Sequence, residues 1–289
     1  MSAPFVCIYA SQVAMCIGAN RHKKISEALE LMWQRCDPTG YRTALGRNDA
    51  RTEDEVAQAV IQSSAEVRGL VDLTLRAPCE SSDQVARNYE DVAKELAAVP
   101  LDDEERRVVD DLLKRNLYTS YGNQHETSAL DYVRQNLGID CREDPTFYKQ
   151  QAGVCSGPWG SQPWHVGGKV DAIDADRTMV IEVKNRVNRL FRRVPFYEQV
   201  QVQTYMHLLD LDRAVLVECL KIDGDTSVNV IPIRRDRQLW EGDIVPKLRG
   251  FVDFLVRVLH DPGLQDRYLT SKRRSAMITS HVNNHTKFT

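Results

Sequence analysis

Three side chains that could do chemistry together, Asp171, Glu182 and Lys184, fall in one short stretch, GGKVDAIDADRTMVIEVKNR. Two carboxylates side by side repel each other, and one takes up a proton unless a cation joins them. Hard oxygen donors with positions left for water suit Mg²⁺ or Mn²⁺. A divalent ion there polarises a phosphodiester and helps make hydroxide from water. In two-metal sites a second ion, about 3.5–4 Å away, steadies the leaving oxygen. A lysine beside the carboxylates holds or deprotonates the attacking water, or offsets charge on the phosphate. The competing reading is a surface hairpin carrying one Asp and a solvated Glu/Lys pair.

The elements that must position these groups are legible in the pattern. Lys169–Ile173 alternates polar and apolar residues, and Thr178–Lys184 is β-branched and apolar until its charges. The turn residues Asp174-Ala175-Asp176-Arg177 join them, which predicts a β-hairpin. The period of two places Glu182 and Lys184 on one face and Val183 on the other, with Asp171 beside Glu182 across the hairpin. Burying such a trio costs free energy unless the charges are paired or hold a metal.

Flanking segments add to the trio. Ala129, Leu130 and Val133 form a helical apolar stripe, and Glu126 lies three to four residues upstream of the first two, turned toward the buried side. Residues 141–166 carry repeated Gly and Pro and read as a short strand and a loop. Trp159 and Trp164 there wall the site, stack on a base or pack. Residues 184–193 hold Lys184, Arg186, Arg189, Arg192 and Arg193 with no acid, as a phosphate backbone requires. On a helix these four arginines would share a face. A helix from Tyr197 then carries Gln199, Gln201 and Gln203, with Gln201 and Tyr205 on one face, before a strand at 213–220.

The remaining chain is less informative. Ser11 is placed to cap a helix over 12–17, and a second helix begins near Ser26, with a basic loop, Arg21-His22-Lys23-Lys24, between them. Asp37-Pro38-Thr39-Gly40 breaks the chain, and helices are expected over 52–76, 83–98 and from Leu101. A last amphipathic helix spans 242–260, and residues 270–289 are expected to be a mobile tail.

At 289 residues, 42% hydrophobic and 27% charged, the composition is that of a globular protein. It contains no apolar run long enough for a membrane span. The first residues lack a secretory pattern, and the seven cysteines show no CxxC spacing, so reduced thiols in an intracellular setting are expected. A net charge of −3 means that any nucleic-acid surface must concentrate its basic residues locally.

Together these pieces resemble the PD-(D/E)xK nuclease superfamily, and within it the branch of phage λ exonuclease and YqaJ-type viral recombinases. Four blocks carry the resemblance: YASQVAMCIGAN around Ser11, Gly122-Asn-Gln-His-Glu126, Asp171 with Glu182-Val183-Lys184, and Gln201-Val202-Gln203. Lys169-Val170 stands where some members have Ser-Pro before the metal-binding Asp. The resemblance implies an α/β fold, a central mixed β-sheet flanked by helices, with an N-terminal helical region. Its parts would be a helical region over 1–115, a nuclease core over 116–265 and a polar tail over 266–289.

The resemblance also implies Glu126, Asp171, Glu182, Lys184 and Gln201 as catalytic residues. Mg²⁺, with Mn²⁺ able to substitute, would sit on Asp171, Glu182 and the Val183 carbonyl, with Glu126 nearby. Ser11, Arg186, Arg189, Arg192 and Arg193 would hold nucleic acid. The implied activity is 5′→3′ digestion of duplex DNA ends in recombination, repair or viral DNA processing. A strand-annealing or recombination protein, and further copies of the chain, are implied partners. An endonuclease of the same fold and a non-catalytic nucleic-acid-binding module are the competing functions.

Overall fold

The computed structural model describes residues 4–191 and 193–285. The chain opens on β1 (Val6–Tyr9), with Val6, Cys7 and Ile8 buried, and passes directly into α1 (Ala10–Cys16). Tyr9 is the cap of α1, its N–H taken by Gln12 Oε1 at 3.4 Å. Ser11, the expected cap, lies exposed inside the first turn, because the helix starts where the strand stops.

Next come α2 (Ile25–Cys36) and α3 (Pro38–Arg47). The break expected at 37–40 is only a junction. Asp37 caps α3 by accepting the Gly40 N–H at 2.9 Å, and Pro38 sits in the first turn, where a missing N–H is harmless. The helix expected over 52–76 is two, α4 (Glu53–Ser63) and α5 (Ala65–Arg76), because Ser64 turns extended and caps α5 through the Val67 N–H. After α6 (Ser82–Ala98) comes α7 (Asp103–Leu137), 35 residues long. An Asp102–Glu105 capping box starts it, three acids fill its first turn, and Gly138 ends it at φ 65°. The helix from Leu101 and the Glu126 helix are therefore one, running through the boundary expected at 115.

The strands follow as β2 (Cys141–Glu143), β3 (Tyr148–Gly157), β4 (Gly160–Gly168), β5 (Ala172–Asp174) and β6 (Met179–Arg186). Then come α8 (Phe196–Leu209), β7 (Arg213–Ile222) and β8 (Asp225–Arg234). The short α9 (Arg237–Leu239) runs through a π-helical turn, Trp240–Ile244, into α10 (Val245–His260). The chain closes on α11 (Pro262–Thr270) and α12 (Arg274–His285).

The architecture is mixed α/β. A five-stranded mixed sheet has the order β2-β5-β6-β7-β8, with β6 and β7 parallel through the α8 crossover and the other pairs antiparallel. Its pleat divides cleanly. Val180 and Leu216 face Val202, Tyr205 and Met206 of α8, while Ile181, Val183 and Val217 face Ala129, Leu130 and Val133 of α7. A three-stranded sheet, β1-β4-β3, packs into the core built by α1 to α3 and α10 to α12. The helices α4 to α6 gather on the first half of α7.

Two readings of the sequence are corrected here. The short strand expected in 141–166 is β2, but the loop expected after it is instead the two long paired strands β3 and β4. Gly157 and Gly160 make the hairpin turn, and Pro163 lies just before β1 begins to pair with β4 at Trp164, so no ladder bond is lost on that side. Residues 270–285 form an ordered helix for most of their length, because Ile278 and Val282, four apart, are buried in the core. Burial of such side chains is worth about 1.5–3 kcal/mol each.

Candidate active site

The sheet break between β4 and β5 is where the site is built. Gly168 ends β4 at a close approach: a Cβ there would lie 2.8 Å from Tyr205 Cε1 and 3.0 Å from the Ala10 Cβ. Only glycine lets α1, β4 and α8 meet at this point. Three residues later comes Asp171, just before β5. Ala172 pairs with Ile181, so the same register carried one residue further sets Asp171 beside Glu182. The Asp174 carboxylate closes the hairpin by accepting the Thr178 N–H at 2.6 Å, the Met179 N–H at 2.7 Å and the Thr178 hydroxyl at 2.7 Å.

Glu182 is buried, with 1% of its surface exposed. Its Oε1 receives two donors, the Lys184 ammonium at 2.5 Å and the Gln201 amide Nε2 at 2.8 Å. Gln201 also lies 3.5 Å from Lys184 Nζ through its oxygen and 3.2 Å from the Tyr205 hydroxyl through its nitrogen. The other Glu182 oxygen, Oε2, is buried without a hydrogen-bond partner. Asp171 is tied to the same strand, its Oδ2 accepting the Val183 N–H at 2.8 Å.

The electrostatics follow from this crowding. Burial, with Asp171 adding to it against Lys184, pushes the Glu182 carboxyl up to about 8. Burial also raises Asp171, opposed by Lys184, the Val183 N–H and Lys169. Burial works against the Lys184 ammonium, but Glu182 and then Asp171 outweigh it and keep its pKa above the ordinary lysine value. Two neighbouring acids whose pKa values are both raised by burial, one with an unpartnered buried oxygen, suit a divalent cation. Among the described residues, no group of three or more His, Cys, Asp or Glu converges as a ready ligand set. An ion on Asp171, Glu182 and the Val183 carbonyl would therefore keep several waters, as Mg²⁺ prefers.

Glu126 enters from the other side. It is half-buried on α7, which covers the sheet face opposite α8, and its pKa is raised by burial and then by Asp171. Among the site residues Asp171 acts on it most strongly, and Lys184 more weakly. Among the three glutamines the geometry separates the roles. Gln203 is buried away from the site, donating to the Arg234 carbonyl at 2.8 Å and accepting the Asp236 N–H at 2.9 Å.

The arginines divide in a way the sequence reading does not anticipate. Arg186 is not a surface residue that grips nucleic acid. Its side chain is 12% exposed and makes a two-pronged pair with Glu198 at 2.6 Å and 2.6 Å, and its Nε donates to Glu218 at 2.8 Å. The reason is strand parity: Arg186 shares the α8-facing side with Glu182 and Lys184, under the first turn of α8, which carries Glu198. Glu218 Oε2 in turn accepts the Phe191 N–H at 3.1 Å and Asn229 Nδ2 at 3.0 Å, anchoring the loop after β6.

Arg189 and Arg193 are exposed, but on irregular backbone rather than a helix, so the shared helical face does not form. Arg192 lies outside the described residues. Ser11 is exposed on α1, next to Ala10. The Arg21–Lys24 loop docks against the same region: the Arg21 guanidinium lies 5.9 Å from the ring centres of both Phe191 and Tyr197, and His22 meets Tyr197 edge-on. Trp164 is fully buried in the core, and Trp159 packs near His260, so both serve packing. Glu198 and Glu218 escape the sequence reading, although a lone acid in the apolar strand RAVLVECL signals a buried cation beside it.

No protein-family model matches the chain, and no curated protein does. Among solved structures it is similar to a phage-related exonuclease from Haemophilus somnus 129PT, at 17% identity over 64% of this chain and 92% of that one, TM-score 0.36. It is similar also to an alkaline exonuclease from Laribacter hongkongensis, at 14% identity over 78% of this chain and 99% of that one, TM-score 0.36. A third, SSO0001, shares 14% identity over 73% of this chain and 98% of its own, TM-score 0.36.

Proposed function

We propose that the chain is a metal-dependent nuclease that hydrolyses DNA from duplex ends in the 5′→3′ sense. The observation that carries this reading is the buried Glu182 carboxylate, with one oxygen held by Lys184 and Gln201 and the other without a partner, beside Asp171. A bound Mg²⁺ or Mn²⁺ would supply Lewis-acid polarisation of the phosphate and an acidified water. Asp171, held by the Val183 N–H, and Glu182, held by Gln201, fix the geometry of the carboxylate pair. Lys184, kept charged by both acids, offsets negative charge at the scissile phosphate. Arg189, Arg193 and the Arg21–Lys24 loop offer exposed cations for backbone contacts that carry no sequence preference. Digestion of this polarity leaves a 3′-ended single strand, which suits a strand-annealing or recombination partner.

The test is incubation with Mg²⁺ of end-labelled linear duplex alongside closed circular duplex, with Glu182→Gln as the control. Stepwise loss from 5′ ends of the linear form, with the circle intact, is expected. Nicking of the circle would make the activity endonucleolytic. Cleavage of neither form, or wild-type cleavage by Glu182→Gln, would overturn the reading.

A further inference from the structure

Three aromatic rings stay exposed around the β1-β4-β3 sheet: Phe5 at 58%, Tyr9 at 39% and Phe147 at 51%. They are clustered. The Tyr9 and Phe147 rings meet edge to face at 5.6 Å, and Phe5 lies 5.3 Å from the His165 ring. Two cations sit over them, Arg35 at 4.2 Å from the Tyr9 ring centre and Lys149 at 4.9 Å from that of Phe5. Arg35 is fixed in place, donating to the Cys7 carbonyl at 3.1 Å and to Gln12 Oε1 at 3.3 Å.

The centre of this patch is Gly167, which pairs with Tyr9 on one side and Lys149 on the other. A Cβ on Gly167 would lie 2.8 Å from Phe147 Cζ, so the absence of a side chain lets that ring lie down on β4. Asp171 follows four residues later, which places it at most about 14 Å away along the chain.

We propose that Phe5, Tyr9 and Phe147, with Arg35 and Lys149, form a stacking platform for an unpaired nucleic-acid strand at the edge of the carboxylate site. The proposal rests on the nuclease reading of that site and names the form of substrate or product held next to it. Aromatic faces take bases of any sequence, and the interleaved cations meet the phosphates between them. Bases inside a duplex are already stacked and hide their faces, so the platform selects the unpaired strand. The tryptophans that the sequence offers for this role are occupied in packing.

The test measures binding by the full-length chain in EDTA, where no hydrolysis occurs. The probes are a fluorescein-labelled oligo(dT) and a blunt hairpin duplex of equal phosphate number, each across a salt series. Phe5→Ala and Phe147→Ala are each expected to weaken oligo(dT) binding by about 5- to 150-fold, the range for loss of one stacked base. Duplex affinity should stay within about twofold, and the salt slope should be unchanged because the phosphate contacts remain. Phe5→Leu and Phe147→Leu, which keep apolar bulk without a π-face, should bind oligo(dT) as weakly as the alanine variants. Both rings are exposed, so the variants should melt with the wild type.

Unchanged oligo(dT) affinity, or equal losses on both probes, would overturn the platform. Recovery by leucine would also overturn it, pointing to an apolar protein contact instead. If the wild type cuts duplex ends while the alanine variants bind oligo(dT) normally, the platform alone falls. If the wild type binds neither probe, the nuclease reading falls with it.

Discussion

The Asp171 carboxylate accepts the main-chain N–H of Val183 at 2.8 Å, joining the two strands of the site where their ladder has already ended. An asparagine keeps an acceptor at that point and removes the charge. Asp171→Asn is therefore expected to fold, melting within a few degrees of the wild type. Its cleavage should fall by at least about 10²-fold, since the Lewis-acid contribution of a metal is several kcal/mol. Single-turnover cleavage beside a melting curve checks both halves, and a wild-type rate would place the metal elsewhere.

Metal binding should appear as stability. The unpartnered Glu182 oxygen, and the burial that raises the pKa values of Glu182 and Asp171, mark carboxylates whose charged forms a bound cation would stabilise. At Mn²⁺ about 100-fold above its dissociation constant, the folded state should gain about 2.7 kcal/mol. Thermal melts with Mn²⁺ and then with excess chelator measure the gain. Glu182→Gln should lose it, and an equal shift in that variant would rule out Glu182 as a ligand.

Gln201 and Gln203 are one strand-like step apart in sequence and have separate work in the structure. Gln201→Ala should lower the cleavage rate with little change in melting. Gln203→Ala should leave the rate near wild type and cost about 0.5–1.5 kcal/mol of stability for each of the two hydrogen bonds that this buried side chain makes to the Arg234 carbonyl and the Asp236 N–H. Lys184→Ala should cost about 10²-fold or more in rate. A larger rate loss for Gln203→Ala than for Gln201→Ala would reverse the assignment.

How much of this is legible beforehand depends on how local the cause is. The hairpin is readable because turn chemistry and strand alternation lie within a few residues, and Asp174 indeed closes it through Thr178 and Met179. Helix ends with their own caps, such as Asp102 with Glu105 on α7, are readable for the same reason. The β3–β4 hairpin is not. Gly153 is there because the Trp164 indole packs against it, a contact that no local pattern announces. Arg186 fails likewise: its run of basic neighbours suggests a surface, while its fate is set by Glu198 and Glu218 on other elements. The opposite faces taken by Glu126 and Glu182 depend on which helix covers which side of the sheet.

Asp174 also gives a pH prediction. Burial pushes its carboxyl up, but the Thr178 hydroxyl and the Met179 and Thr178 N–H groups outweigh it, and its pKa is lowered. A depressed carboxylate contributes stability above its unfolded pKa, near 4, and that stability is lost as pH falls through the folded value. Asp174→Ala should cost about 1–2 kcal/mol at neutral pH, the low end of the range for a turn partly in water. Urea unfolding at neutral pH and near pH 3 measures this, and the difference between variant and wild type should shrink in acid. A constant difference would assign the effect to packing.

The last prediction separates arginines that the sequence groups together. Removing Arg186 leaves Glu198 and Glu218 buried without their cation, and breaking one partner of a buried pair costs about 3–5 kcal/mol. Arg186→Ala should therefore melt far below the wild type and release the loop held by the Phe191 N–H. Arg189 and Arg193 are exposed, so Arg189→Ala and Arg193→Ala should leave melting unchanged. Where they touch phosphate, each loss should lower the salt slope of duplex binding by about 0.9. Melting curves and salt titrations of the same three variants decide the matter. Arg186→Ala that melts like the wild type with a reduced slope would return Arg186 to the nucleic-acid surface. Unchanged slopes for Arg189→Ala and Arg193→Ala would move that surface to the Arg21–Lys24 loop.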